Sequence, residues 1–318
     1  MATTGYRLPD VIMDIAQDVE GRGEYLYIAR RISKQQEMLA KDIPVTSSGW
    51  FAFDPDDPRM IGYDYCTPDY VMGSLMIDPT LPRVESWVGS DDLKEGYPAL
   101  TSQNRYHAIV FSSDINARVV PQCEGLGNRK TYGEQQAVQH KNVLLVQRHA
   151  KAKSTGDMRI LFGLKGMKER LVERDGWLIL KEGQAWLGIK GFSRTKPNQS
   201  CGYKWDNEVF LRMSDGKAPV ALIAGRSTEF ADTEAFSRYL GTFSGTPNKG
   251  WFTLSGNKDK KLTLSLNLAA GALPKVNGTP INLRPKMLFN SPFMSSEHGS
   301  GIITIRKGKR ELKINLSE

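Results

Sequence analysis

The stretch DGWLILKEGQAWLGIKGF, residues 175–192, contains two short apolar runs separated by the turn-like segment KEGQ. Short runs of branched and aromatic residues bounded by glycine are typical of buried β-strands. A four-residue connection that contains Gly183 favours a hairpin between them. The stretch therefore predicts two antiparallel strands, at 177–180 and 185–189.

Similar apolar runs recur along the chain at short intervals, separated by turn chemistry. The further strand candidates are 106–111, 142–147, 158–162, 220–224, 251–254, 262–268, 302–305 and 312–316. One helix is predicted at 230–240, where Asp232 or Thr233 is available as N-cap. Many short strands in succession favour a β-sandwich over a parallel α/β sheet. The sequence predicts a mainly β protein with a large antiparallel, supersandwich-like β-sandwich and one inserted helix.

The first 48 residues differ from the rest. Apolar residues at 11, 12, 15 and 19 follow Pro9 at helical spacing and predict a short helix, and 24–40 suggests a second helical or partly extended segment. We expect a helical segment at 1–48 and the sandwich at 49–318. Within the latter, 50–105 is rich in Pro, Asp and Gly and predicts long loops with short strands.

Composition and residue spacing argue against several classes of functional site but do not identify one. The 318 residues carry a net charge of +8, three widely spaced cysteines and four histidines. No spacing predicts a metal or cofactor site, and no uncharged apolar stretch is long enough to predict a transmembrane helix. The positive charge favours an anionic partner such as nucleic acid, an anionic membrane or anionic polysaccharide, with charge on exposed strand faces and loop tips as the alternative explanation. No aromatic–basic nucleic-acid motif accompanies it, and we expect neither nucleic acid nor membrane as partner. No nucleotide-binding, zinc-protease or serine-hydrolase motif is present.

Four segments contain residues that could carry chemistry, and the last of them, 290–301, is turn-like, so that we expect His298 to shape or decorate a loop. The first, YDYCTPDYVMGS at 63–74, contains Tyr63, Tyr65 and Tyr70. Tyrosine can act as a general acid, and its ring can stack on a sugar. A tyrosine-rich loop packed on the sandwich edge is the alternative explanation.

The second segment, QNRYH at 103–107, and the third, 132–149, supply polar side chains. An arginine beside amides can neutralise a uronate carboxylate and so ease carbanion formation. On one continuous strand the histidines at 140 and 149 would face opposite ways. The candidates in these segments are Asn104, Arg105, His107, His140, Arg148 and His149.

Eight segments follow one another along the chain: YRLPDVIMDIA, RGEYLYIARR, TPDYVMGS, NVLLVQRH, DGWLILKEGQAWLGIKGF, PVALIAGRSTEFADTEAFSRYL, VNGTPINL and FNSPFMSSEHGSGIITI. This ordered series resembles the C-terminal half of heparinase II/III-like proteins. In that family an (α/α) toroid precedes a large antiparallel β-sandwich, and together they cleave acidic polysaccharide, usually by β-elimination. The catalytic groups of the family lie largely on the toroid, most of which has no counterpart here.

The resemblance implies a β-sandwich module that binds or degrades acidic polysaccharide and is catalytically incomplete alone. The alternatives are a complete small polysaccharide lyase with a Tyr or His base, and a structural module that completes the toroid of another chain. If the module derives from a secreted parent, it is expected in the periplasm or outside the cell. The catalytic candidates are Tyr65, Tyr70, Arg105, His107 and His140, and the substrate-binding candidates are Tyr63, Asn104, Arg148 and His149.

Overall fold

A computed structural model describes residues 8–18, 23–29, 60–77, 108–114, 116–123, 135–148, 158–256, 261–269, 271–297 and 299–316. The N-terminal elements are α1 (Asp10–Ala16), β1 (Gly23–Ala29), β2 (Met60–Cys66), β3 (Tyr70–Ile77), β4 (Ala108–Phe111) and β5 (Arg118–Cys123). The central elements are β6 (Gln135–His140), β7 (Val143–Arg148), β8 (Met158–Phe162), a 3₁₀ turn (Lys168–Arg170), β9 (Val172–Arg174), β10 (Trp177–Glu182), β11 (Ala185–Gly191), β12 (Tyr203–Trp205), β13 (Phe210–Met213) and β14 (Val220–Arg226). The C-terminal elements are α2 (Thr233–Leu240), β15 (Ser244–Asn248), β16 (Trp251–Gly256), β17 (Leu262–Asn267), β18 (Lys275–Val276), β19 (Thr279–Pro280), β20 (Met287–Asn290), β21 (Met294–Glu297), β22 (Ile302–Lys307) and β23 (Arg310–Asn315).

The described residues form three antiparallel sheets. The largest has twelve strands in the order β12-β13-β8-β5-β4-β3-β2-β1-β20-β21-β22-β23. A six-stranded sheet follows the order β6-β7-β14-β11-β10-β9, and a five-stranded sheet the order β15-β16-β17-β18-β19. The predicted mainly β, antiparallel, sandwich-like fold is therefore confirmed.

The six-stranded sheet is the middle layer, because it contributes to both large hydrophobic cores. On β10, Leu178 and Leu180 enter the core shared with the twelve-stranded sheet, whereas Trp177 and Ile179 enter the core shared with the five-stranded sheet and α2. Alternate residues of a strand point to opposite faces. A strand buried on both faces must therefore be apolar at every position, which explains the uninterrupted runs at 177–180, 143–146 and 220–224.

Two helices lie against the sheets. Helix α2 begins after Asp232, whose carboxylate accepts from the Ala235 N–H at 2.7 Å, as the sequence predicts. Helix α1 packs on β22 and β23, where Asp14 pairs with Arg310 at 2.6 Å. The apolar stripe of α1 thus lies on the β domain of its own chain, with Val11 buried.

Two sequence predictions are wrong in part. Residues 60–66 and 70–77, expected in loops, form the long hairpin β2–β3 around the turn at 67–69. Residues 23–29 form a strand between β2 and β20. For these residues the extended alternative is correct and the helical one is not, so the sheet begins before the predicted boundary at 49. The predicted strand at 106–111 is confirmed for its described part, β4.

Candidate functional site

The β2–β3 hairpin brings together the three tyrosines predicted from the sequence. Thr67 closes the turn, because its hydroxyl accepts from the Tyr70 N–H at 3.0 Å and donates to the Tyr70 carbonyl at 2.9 Å. This places the Tyr65 ring 6.4 Å from the Tyr70 ring. We call Tyr63, Tyr65 and Tyr70, together with Tyr239 of α2, the tyrosine cluster.

Tyr63 connects three parts of the structure through its hydroxyl group. The hydroxyl donates to Glu24 Oε1 on β1 at 2.5 Å and accepts from the Lys141 N–H, in the β6–β7 turn, at 3.0 Å. Burial, and then the bond to Glu24, raise the pKa of Tyr63 far above its ordinary value. The side chain is 7% exposed. Its contacts are those of a structural tether.

Charged side chains lie near the remaining tyrosines. Arg226 ends β14, Glu229 follows it, and Asp69 is in the β2–β3 turn. Arg226 Nε contacts Asp69 Oδ2 at 2.6 Å, and the Arg226 N–H donates to Glu229 Oε2 at 2.9 Å. Burial raises the pKa of Tyr65, and the Glu229 carboxylate raises it further, against an opposing effect of Arg226. A phenol with a raised pKa is neutral near pH 7.

Tyr70 and Tyr239 follow the same pattern. Burial is the largest cause of the raised pKa of both, and the Glu229 carboxylate adds to it. The Tyr239 hydroxyl accepts from Asn142 Nδ2 at 3.3 Å, and its ring lies 4.9 Å from the Phe230 ring. Of the tyrosine cluster, only Tyr65 and Tyr239 are partly exposed, and they offer neutral hydroxyl groups and part of their ring faces.

The other predicted residues are divided between described and undescribed parts of the chain. His140 ends β6 and is half-buried beside Lys141. Arg148 lies at the opposite end of the β6–β7 hairpin, roughly 17 Å away at about 3.4 Å per residue. The two are separated by a turn, so 132–149 is not one continuous strand. Asn104, Arg105, His107 and His149 lie outside the described residues.

Burial limits what three of the predicted residues can contact. Tyr70 is 2% exposed, and Tyr63 and Arg148 are each 7% exposed. In this arrangement none of the three presents a surface on which a sugar could stack or a carboxylate could bind. Their assignment to catalysis and substrate binding stays a prediction.

A second feature, absent from the sequence predictions, lies on the twelve-stranded sheet. Arg212 on β13 pairs with Arg159 on β8 and with Lys204 on β12. The neighbouring residue Leu211 is fully buried in the core, so Arg212 lies on the opposite, outer face. We call Lys204, Arg212 and Arg159 the basic row.

One carboxylate lies within the basic row. Asp206 contacts Arg159 Nε and Arg212 Nε, each at 3.0 Å. The Arg159 guanidinium also lies 5.4 Å from the centre of the Phe210 ring. Three cations and one anion leave a local charge of about +2 on this face. The only sequence signal for it is alternation within two very short strands, YKW and FLRM.

Comparisons with known proteins leave the family open. No family model, no curated protein and no solved structure matches the chain. Among the described residues, no group of three or more His, Cys, Asp and Glu side chains is placed to hold a metal ion. None of the described helices has the length and apolar character needed to cross a membrane.

Proposed function

We propose that this chain is a β-sandwich module, of the heparinase II/III-like kind, that binds acidic polysaccharide. The observation that carries the proposal is the basic row. It places cations on three adjacent strands, on the face of the large sheet turned away from the core. Neighbouring strands lie about 4.8 Å apart, so the row forms a line of positive charge roughly 10 Å long. Such a line suits a polymer with regularly spaced carboxylate or sulfate groups.

Electrostatics favour an anionic ligand at this surface. Like charges directly opposite each other in a sheet are unfavourable, and Arg159 and Arg212 are such a pair. Asp206 offsets part of the repulsion, and a bound anion would offset more. Guanidinium groups suit carboxylates and sulfates because they form paired, charge-assisted hydrogen bonds.

Binding, and not elimination, is the activity we assign to the described part of the chain. A lyase needs a base that can remove the proton α to the uronate carboxylate. The pKa values of Tyr65, Tyr70 and Tyr239 are raised by burial. A neutral phenol donates hydrogen bonds and serves poorly as a base. A catalytic role for these tyrosines would therefore be as an acid, with the base supplied from another part of the protein.

The test is the affinity of the protein for heparin, alginate and polygalacturonate, measured by calorimetry at low and at high salt, with neutral dextran as reference. We expect binding to the acidic polymers that weakens as salt rises and none to dextran. Replacing both arginines, in R159Q/R212Q, should weaken binding at least tenfold, because about 1 kcal/mol is lost at each charged contact.

Two matched variants sharpen the test. R159K/R212K keeps the charge but loses the paired hydrogen bonds, and its affinity should lie between those of the unaltered protein and R159Q/R212Q. D206N removes the carboxylate within the basic row, raises the local charge to about +3, and should strengthen binding. Equal affinity of R159Q/R212Q and the unaltered protein for every acidic polymer would refute the assignment of this surface, as would absence of binding at low salt.

A further inference from the structure

A cleft of about 470 Å³ lies between the six-stranded and twelve-stranded sheets, at the edge formed by β9, the end of β11 and β12. Its volume falls within the range of about 300–1,000 Å³ typical of small-molecule sites. It is separate from the tyrosine cluster and from the basic row, since none of their residues lines it.

The inner wall of the cleft is apolar. Leu178, Ile189 and Met213 line it and are each at most 5% exposed. Gly191 lets the loop that carries Cys201 pack closely on this wall. A Cβ at position 191 would lie 2.4 Å from Cys201 Sγ and 2.9 Å from Met213 Sδ. The backbone of β11 can therefore approach the sulfur atoms only where a side chain is missing.

The rim of the cleft carries a hydrogen-bonded acid. The Tyr203 hydroxyl donates to Glu173 Oε2 at 2.6 Å. Burial, and then this bond, raise the pKa of Tyr203 to about 12. With the phenol proton directed to Glu173, the Tyr203 oxygen and the second carboxylate oxygen are acceptors for hydrogen bonds from a ligand.

The rim also carries donors. Lys190 packs over the Trp177 and Phe192 rings, 5.5 Å from each ring centre, and donates to the Asp175 carbonyl at 3.2 Å. An ammonium group has three N–H donors, and this bond uses one of them. Ser200 adds a hydroxyl to the same lining. The rim thus combines acceptors and donors above an apolar wall.

We propose that this cleft binds a neutral sugar unit. A pyranose ring has hydroxyl groups that both donate and accept, and an apolar C–H face that packs on side chains such as Leu178 and Met213. One negative charge, on Glu173, and one positive charge, on Lys190, balance within the lining, so the cleft does not select a charged ligand. The proposal is independent of polysaccharide binding at the basic row, which selects anions.

Saturation-transfer NMR with glucose, galactose, mannose and N-acetylglucosamine at millimolar concentration tests this inference. We expect transfer to the ring protons of at least one of these sugars. The same sugar should slow alkylation of Cys201 by iodoacetamide, read by peptide mass spectrometry with Cys66 as internal reference. E173Q, which changes an exposed side chain, should weaken sugar binding about tenfold, the loss of one hydrogen bond to a charged acceptor, and Y203F, which removes a neutral acceptor, should weaken it about fivefold.

A cross-test separates the two sites. R159Q/R212Q should leave sugar binding and Cys201 protection unchanged, and E173Q should leave heparin binding unchanged. No transfer to any of the four sugars, or transfer that both E173Q and Y203F leave intact, would overturn the proposal. Neither result would bear on the basic row.

Discussion

Asp64, in the middle of β2, should make the protein less stable as pH rises through the neutral range. It pairs with Tyr25 on β1 and with Gly73 on β3, on the outer face of the twelve-stranded sheet. Burial raises the pKa of this carboxyl from 3.8 to about 7. Between about pH 4 and pH 7, Asp64 is protonated in the folded protein and ionised in the unfolded chain. Unfolding therefore releases a proton in this window and is favoured by rising pH.

The size of the change in the free energy of unfolding follows from the width of this pH window. Each pH unit lowers the free energy of unfolding by about 1.4 kcal/mol, so the full window lowers it by about 4 kcal/mol. Asparagine has the same shape and does not ionise, so D64N should remove this loss. A buried amide without a partner costs about 1–3 kcal/mol. The net gain of D64N at pH 8 should therefore be between about 1 and 3 kcal/mol, whereas near pH 4, where the unaltered side chain is protonated in both states, D64N should show only the cost of the amide.

Thermal and denaturant unfolding of both proteins from pH 4.5 to pH 8.5 measures this difference. For a chain of 318 residues, a change of 4 kcal/mol corresponds to a shift in Tm of roughly 6 °C. E208Q is the matched control, because that carboxylate has a side chain 71% exposed and should change stability by less than about 0.5 kcal/mol. If D64N were less stable than the unaltered protein at pH 8, or if their difference did not vary with pH, the reasoning would be refuted. A difference that did not vary with pH would mean that folding leaves the pKa of Asp64 unchanged, and a less stable D64N would mean that the amide costs more than the shift in pKa.

Two further substitutions probe contacts in the layers. Y63F removes the hydroxyl that bonds to Glu24 and should cost about 1–3 kcal/mol in denaturant unfolding; a change below about 0.5 kcal/mol would show that the tether contributes little. G188A places a Cβ 2.6 Å from both terminal methyl groups of Leu240 and should cost about 1–3 kcal/mol through overpacking. The double variant G188A/L240V should cost less than the sum of the two single changes, and additive costs would argue against the clash.

The central strands of the middle layer could be predicted from the sequence because nearly all of their residues are buried. Strands β7, β10, β11 and β14 are covered on both faces, so consecutive positions are apolar and the run can be recognised without knowing the partner strand. The N-cap of α2 could also be predicted from the sequence, because the capping hydrogen bond joins residues only three positions apart.

The large sheet was predicted less well, for the opposite reason. Strands β2 and β3 carry Gly62, Asp64 and Gly73, a composition typical of loops, and the pairing that makes them strands lies elsewhere in the chain. β1 pairs with β20 through Leu26 and Asn290, a contact that no local pattern encodes. The candidate site likewise depends on contacts between residues far apart in the sequence. Arg226 reaches the tyrosine cluster through Asp69, 157 residues away, so the tyrosines could be predicted and their charged neighbours could not.

In the described structure, the basic row and Asp64 lie too far apart to act on the same sugar unit. Asp64, with a pKa of about 7, has the proton affinity expected of a general base near neutral pH, and by strand register it shares the outer face with Arg159. Strands β5, β4 and β3 separate β8 from β2, which places the two residues roughly 19 Å apart at about 4.8 Å per strand. Elimination requires the base and the carboxylate-neutralising cation within contact of the same ring. A polymer held on the basic row could extend toward Asp64, but the group that neutralises its carboxylate there would have to come from another element. The separation of Asp64 from the basic row therefore supports the proposed binding role over elimination on the described surface.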